Sequence, residues 1–259
     1  MSFKVDYSKF MLYPKNSIKV DEVNSVNGIV WKTGSEGEKI WMGYLIVESK
    51  AASTPQHHEN SDTVHYVLEG VVKFYYGEGY QKFVELGKGD FIYFPPYEPY
   101  KLENESTSKV TIVTTMAPYY KLVKITESDS VVNPSGINED LEVLIVRETE
   151  LNDSTNQTDN LPRKTAVQAP NLWIGRVSGA PAKDSGAHHH GEAETAGFIV
   201  SGNTRILHGD NYEKYSDITP GDFLRVPPYL PHIERNLSET ESVEFLTARN
   251  PKNIVVNLD

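Results

Sequence analysis

Three consecutive histidines, His188, His189 and His190, are followed closely by two carboxylates, Glu192 and Glu194. On an extended chain successive side chains alternate faces, so His188 and His190 share one face and His189 takes the other. A further histidine, His232, closes the segment from Pro220 to Pro231. Two imidazoles on one face, a nearby carboxylate and a remote third imidazole are a donor set for one divalent transition metal ion. On its own the histidine tripeptide reads equally well as a solvated loop with adventitious metal affinity. The segment that carries His232 is what favours a built site.

The elements that must position these groups read as short strands. Ile40 to Val47, Val64 to Leu68, Val71 to Tyr76, Phe91 to Phe94 and Val110 to Thr115 are apolar, β-branched or aromatic runs. Glu69-Gly70 is a tight hairpin between two of them, and Pro95-Pro96 ends another, because proline cannot donate to a central ladder. Val26 to Trp31 and Leu141 to Val146 are further strand candidates. Gly34 to Glu38 reads as a turn, and the polar stretch Leu151 to Asn160 as an exposed loop or linker. The tail Asn253 to Leu258 is apolar enough to pair as a strand on either half.

The pattern then recurs at one ungapped offset of 132 residues. Gly70 matches Gly202, Gly89-Asp90-Phe91 matches Gly221-Asp222-Phe223, and Pro95-Pro96-Tyr97 matches Pro227-Pro228-Tyr229. Trp41-x-Gly43 matches Trp173-x-Gly175, and Asn104 matches Asn236. A period of this size is a duplicated domain, not a solenoid repeat.

At this point the chain resembles the cupins, small antiparallel β-barrels with a metal site in the mouth. The family's first motif is G-x5-H-x-H-x(3,4)-E-x6-G, and His188-x-His190-x3-Glu194 is similar to its middle. The second motif is G-x5-P-x-G-x2-H-x3-N, and Gly221-x5-Pro227 followed by His232-x3-Asn236 is similar to it, with Tyr229 where the family has glycine. Counted back from Gly202, the carboxylate position falls on Thr195, so Glu194 is one place early, a shift that turns a strand residue to the other face unless a bulge intervenes.

The resemblance implies an all-β chain of two tandem cupin (double-stranded β-helix, or jelly-roll) barrels. The expected division is a first barrel with a degenerate metal site over 1–120, a connecting segment over 121–170, and a second barrel with the intact motif over 171–259. It implies a metal at His188, His190, His232 and Glu194, with Glu192 as the fallback carboxylate. It also implies one divalent ion, Fe, Mn, Ni, Cu or Zn. It further implies a homodimer, since exposed barrel edges pair between chains.

At the same offset the first copy has Gln56 for His188, His58 for His190, Asp62 for Glu194 and Tyr100 for His232. Two of three imidazoles are gone, and Gln and neutral Tyr are poor ligands. His65 shares strand parity with Thr63 and Val67. It is either a hydrogen-bonded cavity histidine or part of a substitute site with His58 and Tyr100. His57 and His189 face away from their neighbours and read as structural or surface residues. Arg176, Arg205 and Arg225 lie on expected strands, where each either pairs with an acidic residue or turns inward to bind a substrate carboxylate.

Composition narrows the rest. The chain has 259 residues, a formal charge of -11 and no cysteine. With no basic stripe, nucleic acid and anionic membranes are poor partners, and thiol chemistry is excluded. The first residues lack an apolar signal core and no run is long enough to span a bilayer, so a soluble cytoplasmic protein is expected. The expected function is a metal-dependent enzyme on a small oxygenated organic substrate, a dioxygenase ahead of an isomerase or decarboxylase. No catalytic residue beyond the ligands is assignable at this stage. The alternative is a non-catalytic small-molecule binding or sensing barrel.

Overall fold

Runs such as Trp41–Val47 and Phe91–Phe94 combine bulky residues that fit a pleated surface with turn signals at their ends. In a computed structural model, which describes residues 10–126, 141–154 and 157–258, these runs are strands. The first nine residues, expected to lack a signal core, lie outside the described residues. Helix among the described residues is confined to the short 3-10 turns Lys15–Ser17, Glu78–Tyr80 and Glu148–Glu150. None is long and apolar enough to cross a membrane. The architecture is the expected all-β one, with a seven-stranded and a five-stranded antiparallel sheet in each of two units.

The first barrel takes in Lys19–Thr33 and Trp41–Glu150. Its larger sheet runs Leu144–Val146, Phe91–Phe94, Asp62–Glu69, Val110–Ala117, Trp41–Val47, Ile29–Glu36, Lys19–Val20. The smaller runs Val123–Lys124, Gln56–His57, Tyr100–Glu103, Val72–Tyr76, Lys82–Leu86. Trp31, Trp41, Phe74, Phe94, Ile112 and Met116 fill its interior.

The second barrel takes in, of the described residues, those up to Ile18, Gly34–Ile40 and those from Leu151 onward. Its larger sheet runs Met11–Tyr13, Phe223–Val226, Glu194–Ser201, Val243–Asn250, Trp173–Gly179, Arg163–Gln168, Asn152–Asp153. The smaller runs Lys214–Ile218, Thr204–His208, His232–Asn236, His188–His189, Val256–Asn257. Trp173, Val177, Ile199, Ile206, Leu230 and Phe245 are among its core residues.

This grouping does not follow the linear division 1–120, 121–170 and 171–259. Met11–Tyr13 pairs with Phe223–Arg225, so the early chain completes the second barrel. Leu144–Val146, from the connecting segment, pairs with Phe91–Tyr93 and completes the first. An edge strand goes where its backbone groups find partners. The turn expected over Gly34 to Glu38 falls later. The strand Ile29–Glu36 runs through Gly34, where a Cβ would sit 2.6 Å from the Phe223 ring, and the Gly37 amide bonds the Ile40 carbonyl across the turn. Part of the polar stretch after Leu151 is not loop, because Asn152–Asp153 pairs with Lys164–Thr165. The C-terminal tail pairs with His188–His189 in the second barrel.

The repeated residues have repeated jobs. A Cβ on Gly43 would lie 2.1 Å from the Lys32 carbonyl oxygen, and one on Gly175 2.0 Å from that of Lys164, so only glycine lets the neighbouring strand in. The preceding tryptophans donate to Thr33 and Thr165. Asn104 and Asn236 each donate to several carbonyls of the adjoining loops. Asp90 and Asp222 each accept a backbone amide three residues earlier in the turn before the next strand.

Candidate metal centre

His188 and His232 are opposite residues of paired strands, and His190 lies just past the end of its strand. The pairing converts a sequence distance of over forty residues into adjacency. Ring centroids are 4.5 Å apart for His188 and His232, 4.8 Å for His190 and His232, and 5.3 Å for His188 and His190. One nitrogen from each ring lies within 4.8 Å of the others, and all three residues are buried.

The hydrogen bonds set the tautomers. Nδ1 of His188 is 2.9 Å from the Gly186 carbonyl and Nδ1 of His232 is 2.9 Å from that of Leu230. Carbonyls only accept, so both Nδ1 atoms carry a proton, and Arg163, which donates to His188 Nε2 at 3.2 Å, makes that nitrogen an acceptor. Arg249 donates to His190 Nε2 at 2.9 Å, which leaves the His190 proton on Nδ1, donated to Thr195 Oγ1 at 2.7 Å. The inward nitrogens of His188 and His190 therefore present lone pairs, and all three rings are held from behind through Nδ1, as metal-ligating histidines are. Burial pushes His188 down to about 3 and His190 well below the ordinary imidazole value, so both rings stay neutral. Nε2 of His232 is buried with no hydrogen-bond partner. A buried imidazole nitrogen without a hydrogen bond, beside two acceptor nitrogens, is what a bound ion would satisfy, and the residues present fit one divalent metal.

Glu194 is not brought to this cluster. Its carboxylate accepts the backbone amides of Glu38 at 3.2 Å and Lys39 at 2.7 Å, and it is ion-paired with Arg225. Thr195, one residue on, faces the cavity and holds His190. The reason is the parity of the strand, with no bulge at this end to reverse it. Glu192 is exposed. If Glu194 serves Arg225 and the turn, Glu194→Gln should cost about 2 kcal/mol in urea unfolding, since a buried charge loses its partner, while metal content is unchanged.

Of the three arginines on expected strands, none lines the cavity. Arg176 pairs with Glu244, Arg205 with Asp217, and Arg225 with Glu194. The cavity, about 30 Å³, is lined instead by Arg163 and Arg249, with His190, His232, Thr195 and Glu234. Both arginines are buried, and burial pushes Arg163 down to about 10 and Arg249 well below the usual guanidinium value. Glu234 Oε1 lies 3.5 Å from His232 Nε2, and Ser185 Oγ donates to Oε2 at 2.9 Å. Burial works to raise its pKa, but the positive field of its buried surroundings, to which the Arg163 guanidinium contributes, holds the carboxyl below its usual range.

The sequence reading missed these three groups, although a signal existed. Glu234 shares strand parity with His232. At the offset of 132 it replaces Leu102, and Arg163 replaces Trp31. Counted from the prolines that follow the last strands, Pro118 and Pro251, Arg249 replaces Met116. Charge in one copy stands where the other copy has apolar bulk.

In the first barrel the same space is occupied by a closed polar network. The Tyr100 hydroxyl lies 2.9 Å from Gln56 Nε2, 2.8 Å from His58 Nε2 and 2.9 Å from His65 Nε2. His58 Nδ1 donates to the Lys121 carbonyl at 2.6 Å, so its Nε2 accepts the phenolic proton. His65 then donates to the phenol oxygen and accepts from Thr114 Oγ1 at 2.8 Å. His65 is thus a hydrogen-bonded cavity histidine. Asp62 accepts from the Tyr93 hydroxyl. His57 and His189 do matched local work, each accepting a backbone amide two residues on, from Glu59 and Gly191. Among the described residues the only group of three or more suitable ligands is the His188, His190 and His232 set.

Burial also lowers His58 to about 4. In the unfolded chain this ring has the ordinary value near 6.5, so its contribution to stability is complete above that pH and is lost as pH falls toward 4. Unfolding free energy, measured in urea at several pH values, should fall across this window by about 1 kcal/mol per pH unit from this ring.

The fold and site define a two-barrel β protein in which, among the described residues, one buried three-histidine cluster fits a divalent ion. Residues 43–116 match the family described as Cupin domain, and the whole chain is similar in fold to solved two-barrel structures. A Lactobacillus farciminis oxalate decarboxylase in complex with formate superposes with a TM-score of 0.73 at 8% identity, covering 99% of this chain and 90% of that one. A Bacillus subtilis oxalate decarboxylase with Mn(II) centres gives 0.71 at 12%, covering 99% and 81%. A structure of the Bacillus subtilis oxalate decarboxylase at pH 4.6 gives 0.71 at 12%, covering 99% and 80%. A search of curated protein sequences finds no match.

Proposed function

We propose that the second barrel is a metal-dependent enzyme site that acts on a small organic acid, with decarboxylation as its reaction. The observation that carries this is that two buried arginines and the Glu234 carboxylate line one cavity of about 30 Å³ with the histidines. Space of that size holds only a ligand of a few heavy atoms. This favours a short acid over the larger phenolic or diketone substrates of a dioxygenase. Guanidinium groups suit carboxylates. The likeness in fold to oxalate decarboxylases supports the same reading.

His188, His190 and His232 would hold the ion, with Glu194 outside the ligand set. A divalent ion there supplies Lewis-acid polarisation of a chelated carbonyl. Arg163 and Arg249 orient the acid, and the apolar wall of Leu161, Val177, Ile206 and Phe245 excludes water. The acid enters as its monoanion, and Glu234 takes its remaining carboxylic proton, which leaves the dianion in the site. The bond to the departing carboxylate breaks, its electron pair stays on the neighbouring carbon, and Glu234 returns the proton there, releasing carbon dioxide. No oxidant is consumed.

A dioxygenase remains the second reading, favoured by one observation: the nearest motif carboxylate, Glu194, is turned away, leaving three neutral ligands. The two readings separate in one assay. Protein reconstituted with Mn(II) or Fe(II) is given dicarboxylic and 2-oxo acids of two to four carbons while carbon dioxide and dissolved oxygen are followed together. Carbon dioxide release without oxygen uptake supports decarboxylation. Stoichiometric oxygen uptake replaces it with dioxygenation. Ligand-induced thermal stabilisation with no turnover of any acid would leave a binding barrel.

A further inference from the structure

Arg163 and Arg249 are cations sealed in the barrel with partners that cannot balance them. Arg163 donates to the Leu161 carbonyl at 3.2 Å and to His188 Nε2 at 3.2 Å. Arg249 donates to Asn253 Oδ1 and, at 2.9 Å, to His190 Nε2, and its guanidinium carbon lies 5.3 Å from the Trp173 ring centroid. The Nε of each is buried without a hydrogen-bond partner. Glu234 is the one carboxylate among the residues that line the cavity. Two guanidinium cations against one carboxylate leave one positive charge, and a divalent ion raises it to three. Uncompensated buried charge is strongly unfavourable.

The imidazole geometry sharpens this. Each inward lone pair serves one partner at a time. The nitrogens that Arg163 and Arg249 now donate to are the same ones a metal would take. Loading the site therefore frees one N–H on each arginine, both aimed at the coordination space, and each then needs an oxygen acceptor. A single ligand with two anionic oxygen groups meets both needs and cancels two of the three charges.

We propose that this site takes up its metal ion together with a small dicarboxylate-type dianion, each raising the affinity for the other, with Arg163 and Arg249 as the receptors that couple them. The inference rests on the metal-centre reading of the triad. By linkage the coupling is reciprocal, so it is readable from either side.

The test is Mn(II) binding to the metal-stripped full-length chain, followed by electron paramagnetic resonance of the free ion. Titrations are run in chloride alone, with oxalate or malonate, and with phosphate. Free Mn(II) is set equal in all, because the acids also chelate the ion in solution. The expected result is an affinity roughly 10- to 100-fold higher with a dicarboxylate, in the range usual for coupled sites. In Arg249→Met, which copies the residue of the first barrel, the enhancement should fall below about 2-fold, while Arg249→Lys, which keeps the charge and not the fork, should retain part of it. Arg163→Met is the parallel variant, and circular dichroism checks that each variant is folded. Equal affinity in chloride and dicarboxylate overturns the coupling and leaves the metal centre standing. Equal enhancement by phosphate overturns the dicarboxylate class. No Mn(II) binding in any anion overturns the metal-centre reading, and this inference with it.

Discussion

His232→Ala should abolish stoichiometric metal binding. The variant removes the one inward imidazole nitrogen that makes no hydrogen bond, and it breaks a donor set whose nitrogens lie within 4.8 Å of one another. Divalent ions in closed protein sites gain on the order of 10 kcal/mol from about four ligands, so one lost ligand should weaken affinity roughly 100- to 1,000-fold. Measured by mass spectrometry on tag-free protein, metal should fall from about one ion per chain to under a tenth of that. The fold should survive, because the ring makes a single hydrogen bond to the backbone, to the Leu230 carbonyl. A variant that keeps its metal would show that the ion binds elsewhere.

Tyr100→Phe should be the most damaging conservative change in the first barrel. The residue is fully buried, and its ring stacks on Phe94 at 4.1 Å between centroids. Phenylalanine keeps that packing and deletes only the hydroxyl. That oxygen is the shared partner of Gln56, His58 and His65, so two donors and one lone pair are stranded at once. At about 1–3 kcal/mol for each buried unsatisfied group, less what relaxation recovers, the loss should be about 3–5 kcal/mol in urea unfolding. Metal content should stay at the parent value, since the centre belongs to the second barrel. A loss under about 1 kcal/mol would mean that the network rearranges or admits water.

Much of this was legible in one chain. Strand positions follow from local residue types, and the duplication follows from one constant offset. The histidine set was readable because two members are two residues apart on a strand and the third closes a repeated segment. Parity also flagged Glu194, one residue from the expected register, and the fold resolves that tension by turning Glu194 to Arg225 and Thr195 to His190.

Arg163, Arg249 and Glu234 were not legible in the same way. Parity says which residues share a face, but not which face a closed sheet turns inward. That depends on how distant strands meet. Arg249 reaches His190 because Glu194–Ser201 and Val243–Asn250 pair in one register. The same limit applies to Met11–Tyr13, whose partner lies more than two hundred residues away.

The sequence by itself determined the strands, the doubling of the barrel and three of the groups around the centre, because these depend on neighbours along the chain. Only the tertiary structure decided which charges are sealed in with those histidines, because burial and pairing are properties of the closed barrel.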